Sequence, residues 1–107
     1  MSTIEIISSS DEEIVIRPGN ELSSATYQEF FDVLESLEQT KLPSCITIDL
    51  QNTSWIDSMG LGLLYNLYLR WRKSVTRFNI INADNSVMET LRIGHLNHQY
   101  TISKRAA

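Results

Sequence analysis

Two residues in this 107-residue chain are best placed to do chemistry: Asp57 and Ser58, which stand just before Gly60 and Gly62. A serine hydroxyl can attack a substrate or accept a phosphate, and an aspartate or serine before a helix can also cap its first turn. Glycine weakens a helix by about 1 kcal/mol relative to alanine, so two glycines near a helix start indicate that something approaches the backbone closely. A neighbouring strand or another molecule could fill that role.

The sequence around Ser58 does not favour catalysis. It lacks the Gly-x-Ser-x-Gly pattern of hydrolase nucleophiles, and the only imidazole bases, His95 and His98, lie late in the chain where a turn is expected. These histidines have no compact set of cysteine or carboxylate ligands beside them. The single Cys45 lies in an apolar run, where buried packing is expected. We therefore predict no catalytic residue, no metal site and no cofactor.

The overall charge and hydropathy exclude other classes of protein. The formal net charge of -4 argues against a nucleic-acid partner, because phosphate binding needs a concentrated basic face. The basic residues of 70–77 cluster at a predicted helix end, where cations offset the helix dipole. No segment has enough consecutive apolar residues to span a bilayer, and the N-terminus lacks the features of a signal peptide. We expect one cytoplasmic domain over residues 1–107, without a membrane or nucleic-acid partner.

Apolar periodicity predicts strands that alternate with helices. Two short β-prone stretches flank a turn-forming cluster and predict an opening hairpin, and Ser23 or Ser24 could cap the helix that follows. The expected elements are strands at 4–7 and 13–17, a helix ending near residue 40, a strand at 46–50, a helix at 59–73, a strand at 78–81, a helix from 84 to 94 and a strand at 100–102. This order implies an α/β fold with a mostly parallel central sheet, an antiparallel edge from the hairpin, and helices packed on the sheet.

The second predicted helix divides into two faces when its residues are placed at 100° intervals. One face should pack on the sheet: Gly60, Leu64, Leu67, Tyr68 and Trp71. The opposite face, which we call the outer face, comprises Ser58, Met59, Gly62, Tyr65, Asn66, Leu69 and Arg70. Three of these side chains are large and apolar, which indicates a docking surface with Ser58 at its rim. Scattered apolar residues also occur on ordinary surfaces, so the pattern alone leaves both interpretations open.

The central segment resembles a known family, the sulphate-transporter and anti-sigma-antagonist (STAS) domain, and especially its free-standing anti-sigma factor antagonists. The run Ile46-Thr47-Ile48-Asp49-Leu50, a polar turn, and Ile56-Asp57-Ser58-Met59-Gly60-Leu61-Gly62 are similar to the family's strand-Asp-Leu, turn, Asp-Ser-x-Gly-Leu-Gly signature. The stretches 18–22 and 91–96 resemble weaker family features in the same order. The resemblance therefore spans most of the chain.

The resemblance implies a partner-switching cycle. The unphosphorylated domain would capture an anti-sigma factor that is also a serine kinase, phosphorylation by that kinase would end the capture, and a PP2C-like phosphatase would restore it. Ser58 would be the phosphoacceptor, with Asp49 and Ser23 as supporting polar residues. The partner-binding residues would be Asp57, Ser58, Met59, Gly62, Tyr65, Asn66 and Leu69. The alternative is an adaptor subunit of a sensory, transport or biofilm-control assembly with no sigma-factor output.

The chain departs from the family pattern in four places, one of them the turn after the second helix, where Ser74-Val75-Thr76 replaces the usual glycine-containing turn. Ser23 stands where the family often has Asp, with one extra residue between Gly19 and Leu22, so partner contacts there are expected to differ. Met59 follows the phosphoacceptor, where a small residue or serine is common. The sequence stops before the family's usual final helix, so we expect that helix to be lacking and the exposed sheet face to be open to a partner or to a second copy in a homodimer.

Overall fold

A computed structural model describes residues 4–106 as seven strands, three α-helices and one 3-10 helix. The elements are β1 (Glu5–Ser9), β2 (Glu13–Arg17), β3 (Glu21–Leu22), α1 (Tyr27–Glu38), β4 (Cys45–Asp49), β5 (Trp55–Ile56), α2 (Ser58–Trp71), β6 (Arg77–Ala83), α3 (Asn85–Ile93), the 3-10 helix (Leu96–His98) and β7 (Thr101–Lys104).

Five strands form the central sheet in the order β1-β2-β4-β6-β7. The hairpin strands β1 and β2 pair antiparallel, and the other three pairings are parallel. The predicted α/β fold, with a mostly parallel sheet and an antiparallel edge hairpin, is confirmed. The helices between parallel strands are the crossover connections that parallel pairing requires.

The core lies between the three helices and one face of this sheet. Ile46 and Ile48 in the central strand are fully buried, and the register places Ile14 and Ile16 beside them on the same face. Each such side chain contributes about 1.5–3 kcal/mol by leaving water. All three helices add buried residues to the same cluster: Phe30, Leu34, Leu63, Leu64, Leu67, Trp71, Val87 and Leu91.

The other face of the sheet carries polar side chains that bond to one another. The Thr47 hydroxyl donates to a Glu13 carboxylate oxygen at 2.7 Å, and Arg17 forms an ion pair with Asp49 at 2.9 Å. The last element within residues 4–106 is β7. The expectation that the family's final helix is lacking stays a prediction.

A second, two-stranded sheet pairs β3 with β5 in parallel, with Glu21 beside Trp55 and Leu22 beside Ile56. Two residues per strand carry no periodic signal, so the sequence does not predict this pairing. It holds the loop before α1 against the start of α2, and thereby positions the residues around Ser58.

Candidate functional site

Asp57 is the N-cap of α2 and joins the start of that helix to the loop before α1. Its Oδ1 accepts a hydrogen bond from the Gly60 amide at 2.9 Å, and its Oδ2 accepts one from the Ser24 amide at 3.1 Å. The bond from the Gly60 amide is the main cause that lowers the pKa of the Asp57 carboxyl, and the Ser24 amide adds to it. The Asp57 carboxylate is therefore ionised at neutral pH and links the start of α2 to the loop before α1.

The two glycines that follow have different surroundings. A Cβ atom at Gly60 would lie 2.7 Å from the carbonyl carbon of Leu22 and 2.9 Å from Cγ2 of Ile56, closer than packed atoms approach. The Leu22 carbonyl oxygen also accepts a hydrogen bond from the Asp57 amide at 3.1 Å. The two-stranded sheet can therefore approach α2 this closely only because residue 60 has no side chain. A Cβ at Gly62 would meet nothing within 4 Å. The neighbouring strand thus explains Gly60, but it does not explain Gly62.

Ser58 is the first residue of α2 and is exposed. Within residues 4–106, nothing hydrogen-bonds its hydroxyl, so the group is available to an enzyme that modifies it. The large side chains of the outer face are exposed as the helical spacing predicts: Met59 by 46%, Tyr65 by 43% and Leu69 by 41%. Asn66 is exposed too, and Gly62 is partly so. Their role in binding a partner stays a prediction.

Helical spacing places Arg70 on the outer face, but its side chain contacts residues of α1. Its guanidinium donates two hydrogen bonds of 2.6 Å to Glu38 and lies 5.1 Å from the centre of the Phe31 ring. Beside it, a cavity of about 180 Å³ opens between α1 and α2, and Tyr27, Phe31 and Asn66 contribute to its wall. The four-residue spacing of Tyr27 and Phe31 along α1 does not reveal from the sequence that both rings border the outer face.

Ser23 shapes the turn before α1. It is only 2% exposed, its hydroxyl donates to a Glu21 carboxylate oxygen at 2.8 Å, and it accepts the Ala25 amide at 3.1 Å. The suggestion that Ser23 or Ser24 caps α1 is wrong, because α1 begins at Tyr27 and Thr26 occupies the N-cap position without a side-chain cap bond. The Ser23 hydroxyl is instead hydrogen-bonded to the Glu21 carboxylate and to the Ala25 amide.

Asp49 lies on the polar face of the sheet. Its carboxylate accepts hydrogen bonds from Arg17 at 2.9 Å, from the Gln51 amide at 3.0 Å and from Asn82 at 2.9 Å. Burial raises the pKa of this carboxyl, but the hydrogen bonds outweigh burial and the net shift is downward. No bond joins Asp49 to Ser58 among the residues that the structure describes. The structure therefore places Asp57 and the loop before α1 beside Ser58, while Asp49 supports the end of β4.

The histidines lie away from this arrangement. His95 precedes the 3-10 helix and His98 ends it, with their ring centres 6.0 Å apart. Across residues 4–106, no three His, Cys, Asp or Glu side chains are grouped so that they could hold a metal ion. Within the same range, no helix is long and apolar enough to cross a membrane.

The fold and the site together define a mixed α/β domain whose distinguishing feature is an unpartnered serine hydroxyl beside an exposed apolar helical face. The family model of the STAS domain matches residues 4–106, and the chain belongs to that family. Comparison with curated protein sequences gives no match.

Solved structures of anti-sigma factor antagonists share this fold. The unphosphorylated form of SpoIIAA is similar with a TM-score of 0.77 and 18% identity, covering 92% of this chain and 86% of the other. The phosphorylated form of SpoIIAA, described as a Bacillus cell fate determinant, gives 0.69 and 16%, covering 92% and 89%. An anti-sigma factor antagonist from Mycobacterium paratuberculosis gives 0.78 and 18%, covering 96% and 90%.

A transport-related protein is also similar. A sulfate transporter family protein from Wolinella succinogenes gives a TM-score of 0.72 at 14% identity, covering 87% of this chain and 77% of the other. At such identities the likeness establishes the fold, and the function has to be argued from the site.

Proposed function

We propose that this protein is a phosphorylation-controlled partner-switching regulator of the anti-sigma factor antagonist type, without enzyme activity of its own, and that Ser58 is its phosphoacceptor. The observation that carries the proposal is the exposed Ser58 hydroxyl, unpartnered within residues 4–106, at the rim of the apolar outer face of α2. The similarity to SpoIIAA supports it, since that protein has been solved in both unphosphorylated and phosphorylated forms.

The outer face is suited to docking. Met59, Tyr65 and Leu69 leave large apolar side chains in water, and burying them against a partner would be favourable. Gly62 lies among them with no atom of residues 4–106 near its missing Cβ, so a partner backbone could approach the helix there. Asp57 and Asn66 supply polar groups at the border of this surface. The tight packing at Gly60, by contrast, serves the fold.

A phosphate on Ser58 would change the docking surface while leaving the fold in place. It adds roughly -1.5 to -2 charges at neutral pH. The Gly60 amide, which could otherwise bind a phosphate, already donates to the ionised carboxylate of Asp57. Repulsion from that carboxylate therefore directs the phosphate outward, towards a docked partner. Burying such an unpaired charge at an interface costs about 2–5 kcal/mol, which weakens binding by roughly 30-fold to several thousand-fold.

In this proposal the unphosphorylated domain captures an anti-sigma factor with serine kinase activity. That kinase modifies Ser58 and releases itself, and a PP2C-like phosphatase returns the domain to its binding form. The regulator acts as a single cytoplasmic domain over residues 1–107, and its formal net charge of -4 suits a protein partner better than a nucleic acid.

The second candidate is an adaptor subunit of a sensory, transport or biofilm-control assembly. The similarity to the Wolinella succinogenes sulfate transporter family protein favours keeping it, because the same fold there occurs in a transport-related protein. Such an adaptor would use the outer face of α2 without a sigma-factor output.

The test has two stages. Wild type, Ser58→Ala and Ser58→Asp are first used to capture partners from cells that naturally contain the protein. We expect wild type and Ser58→Ala to retain a serine kinase that Ser58→Asp loses. The purified kinase is then incubated with wild type and ATP, and mass spectrometry locates the phosphate. Absence of phosphate on Ser58, or equal retention of the kinase by all three forms, would contradict the proposal.

A further inference from the structure

A cleft of about 480 Å³ lies at the opposite end of α2 from Ser58, between the end of that helix, the start of β6 and the segment 97–101. Its size lies within the range of small-molecule sites. Most of its polar groups are hydrogen-bond donors or cations: Arg72, Arg77, Asn97, His98, Gln99 and Thr101. None of the residues that line it is acidic, although the chain has 13 acidic and 9 basic residues. The cleft is thus an electropositive site in an acidic protein.

The two arginines of this cleft form no ion pair with another described residue. The ion pairs within residues 4–106 are Arg17–Asp49 and Arg70–Glu38, so the guanidinium groups of Arg72 and Arg77 are unpaired there. Guanidinium is planar, holds its donors in a fixed fork and is weakly hydrated, which suits it to bind phosphate or carboxylate in two-point contacts.

Capping of α2 does not account for this set of cations and hydrogen-bond donors. Arg72 follows the last residue of α2 and could offset its dipole, but Arg77 lies in β6 and His98 in the 3-10 helix. The Trp71 carbonyl at that helix end already accepts the Ser74 and Val75 amides at 2.9 Å and 2.8 Å. Three elements therefore bring positive or donating groups to one cleft beyond what the helix end needs.

The floor of the cleft is packed and fixed. Phe78 makes edge-to-face contacts with Tyr68 and Tyr100, with ring centres 5.0 Å and 5.8 Å apart. The Tyr100 hydroxyl donates to the Leu64 carbonyl at 2.6 Å and is thereby withheld from a ligand. An adjoining cleft shares Tyr100 with this one and adds Arg92, again without an acidic residue in its lining. A ligand would thus rest on a rigid aromatic base and meet cations at the rim.

We propose that this cleft binds a small polyanion with phosphate-type oxyanion groups, with Arg72 and Arg77 as its main charged contacts. The proposal does not depend on Ser58, which lies about 20 Å away at the other end of α2. Arg77 also borders a neighbouring cleft that contains Glu12 and Glu13, although neither carboxylate forms an ion pair with it. We therefore expect Arg72 to contribute more than Arg77.

The test is titration of the purified protein with pyrophosphate at constant ionic strength, followed by calorimetry and by amide NMR shifts. Inorganic phosphate and citrate are the comparison ligands. We expect pyrophosphate to bind more tightly than phosphate or citrate and to shift the signals of residues 72–77 and 97–101. Removing a charge-assisted contact should weaken binding by about tenfold or more, so Arg72→Ala and the double variant with Arg77→Ala should lose most of the affinity.

Two controls isolate the cleft. Lys41→Ala removes an exposed cation that does not line it and should bind like wild type, as should Ser58→Ala. Arg72→Gln keeps a long polar side chain in case truncation disturbs packing, and circular dichroism checks the fold. Absence of pyrophosphate binding, equal losses in the Lys41 and Arg72 variants, or tighter binding of citrate than of pyrophosphate would overturn the proposal.

Discussion

Substituting each glycine at the start of α2 with alanine should change the stability of the protein in opposite directions. At Gly60 the new methyl group would lie 2.7 Å from the Leu22 carbonyl carbon and 2.9 Å from Ile56 Cγ2. At Gly62 it would meet nothing within 4 Å. The two positions are two residues apart in one helix, so they form a matched pair for separating packing from helix propensity.

The magnitudes follow from two effects. Alanine in place of glycine favours a helix by about 1 kcal/mol, and this gain acts alone at Gly62. At Gly60 overpacking costs about 1–3 kcal/mol. Displacing Leu22 also weakens its hydrogen bond with the Asp57 amide, which is worth about 0.5–1.5 kcal/mol. We expect Gly60→Ala to be destabilised by roughly 0.5–3.5 kcal/mol net and Gly62→Ala to be stabilised by up to about 1 kcal/mol.

The assay is urea unfolding of wild type and both variants, with the unfolding free energy taken from midpoint and slope. In thermal melts, 1 kcal/mol corresponds to a shift of about 4 °C or more for a domain of this size. Equal changes of the same sign in both variants would refute the reasoning, because the two positions would then have equivalent surroundings. If the outer face docks a partner, Gly62→Ala should also bind that partner less well despite its greater stability.

Three further predictions concern side-chain contacts. Glu38→Ala should cost about 1–3 kcal/mol in urea unfolding, because it leaves the buried indole nitrogen of Trp71 without the acceptor that it contacts at 2.6 Å. Hydrogen bonding from Arg70 is the main cause that lowers the pKa of Glu38. The stabilisation by ionised Glu38 is therefore complete above the unfolded pKa of about 4.3 and is lost as pH falls through the lower folded value. The difference in unfolding free energy between wild type and Glu38→Ala should narrow in acid, and a constant difference would contradict this. Tyr100→Phe should lose about 0.5–1.5 kcal/mol by urea unfolding, since it removes the hydrogen bond to Leu64, and an unchanged midpoint would show that this bond contributes nothing.

Local patterns were enough to predict the sheet and the two faces of α2. Alternating β-branched residues mark β4 as an interior strand, and the helical period separates buried Leu64 and Leu67 from exposed Tyr65 and Leu69. Both signals arise within one element. Both signals reflect which residues of the element are buried, and the order of apolar and polar residues within one segment is enough to show that.

Contacts between distant segments were not predictable in the same way. Residues more than 30 positions apart are joined by the pairing of β3 with β5 and by the hydrogen bond from the Ser24 amide to Asp57. The bond between Glu38 and Arg70 has a similar separation and removes a cation from the outer face. The start of α1 was misplaced because nearby polar groups engage Ser23. The partners of β3, Asp57 and Glu38 are set by the tertiary fold, which local spacing does not encode, whereas Ser23 is engaged within its own turn by Glu21 and Ala25.

The central claim is that the charge state of Ser58 controls docking on the outer face of α2. The most direct measurement compares the affinity of the kinase partner for the unphosphorylated protein and for protein phosphorylated at Ser58, with Ser58→Ala as the neutral control. We predict that phosphate weakens binding by roughly 30-fold or more while Ser58→Ala binds like wild type, and that the unfolding free energies of all three agree within about 0.5 kcal/mol. Equal affinities for the phosphorylated and unphosphorylated forms would contradict the account and leave Ser58 as an ordinary first residue of a helix.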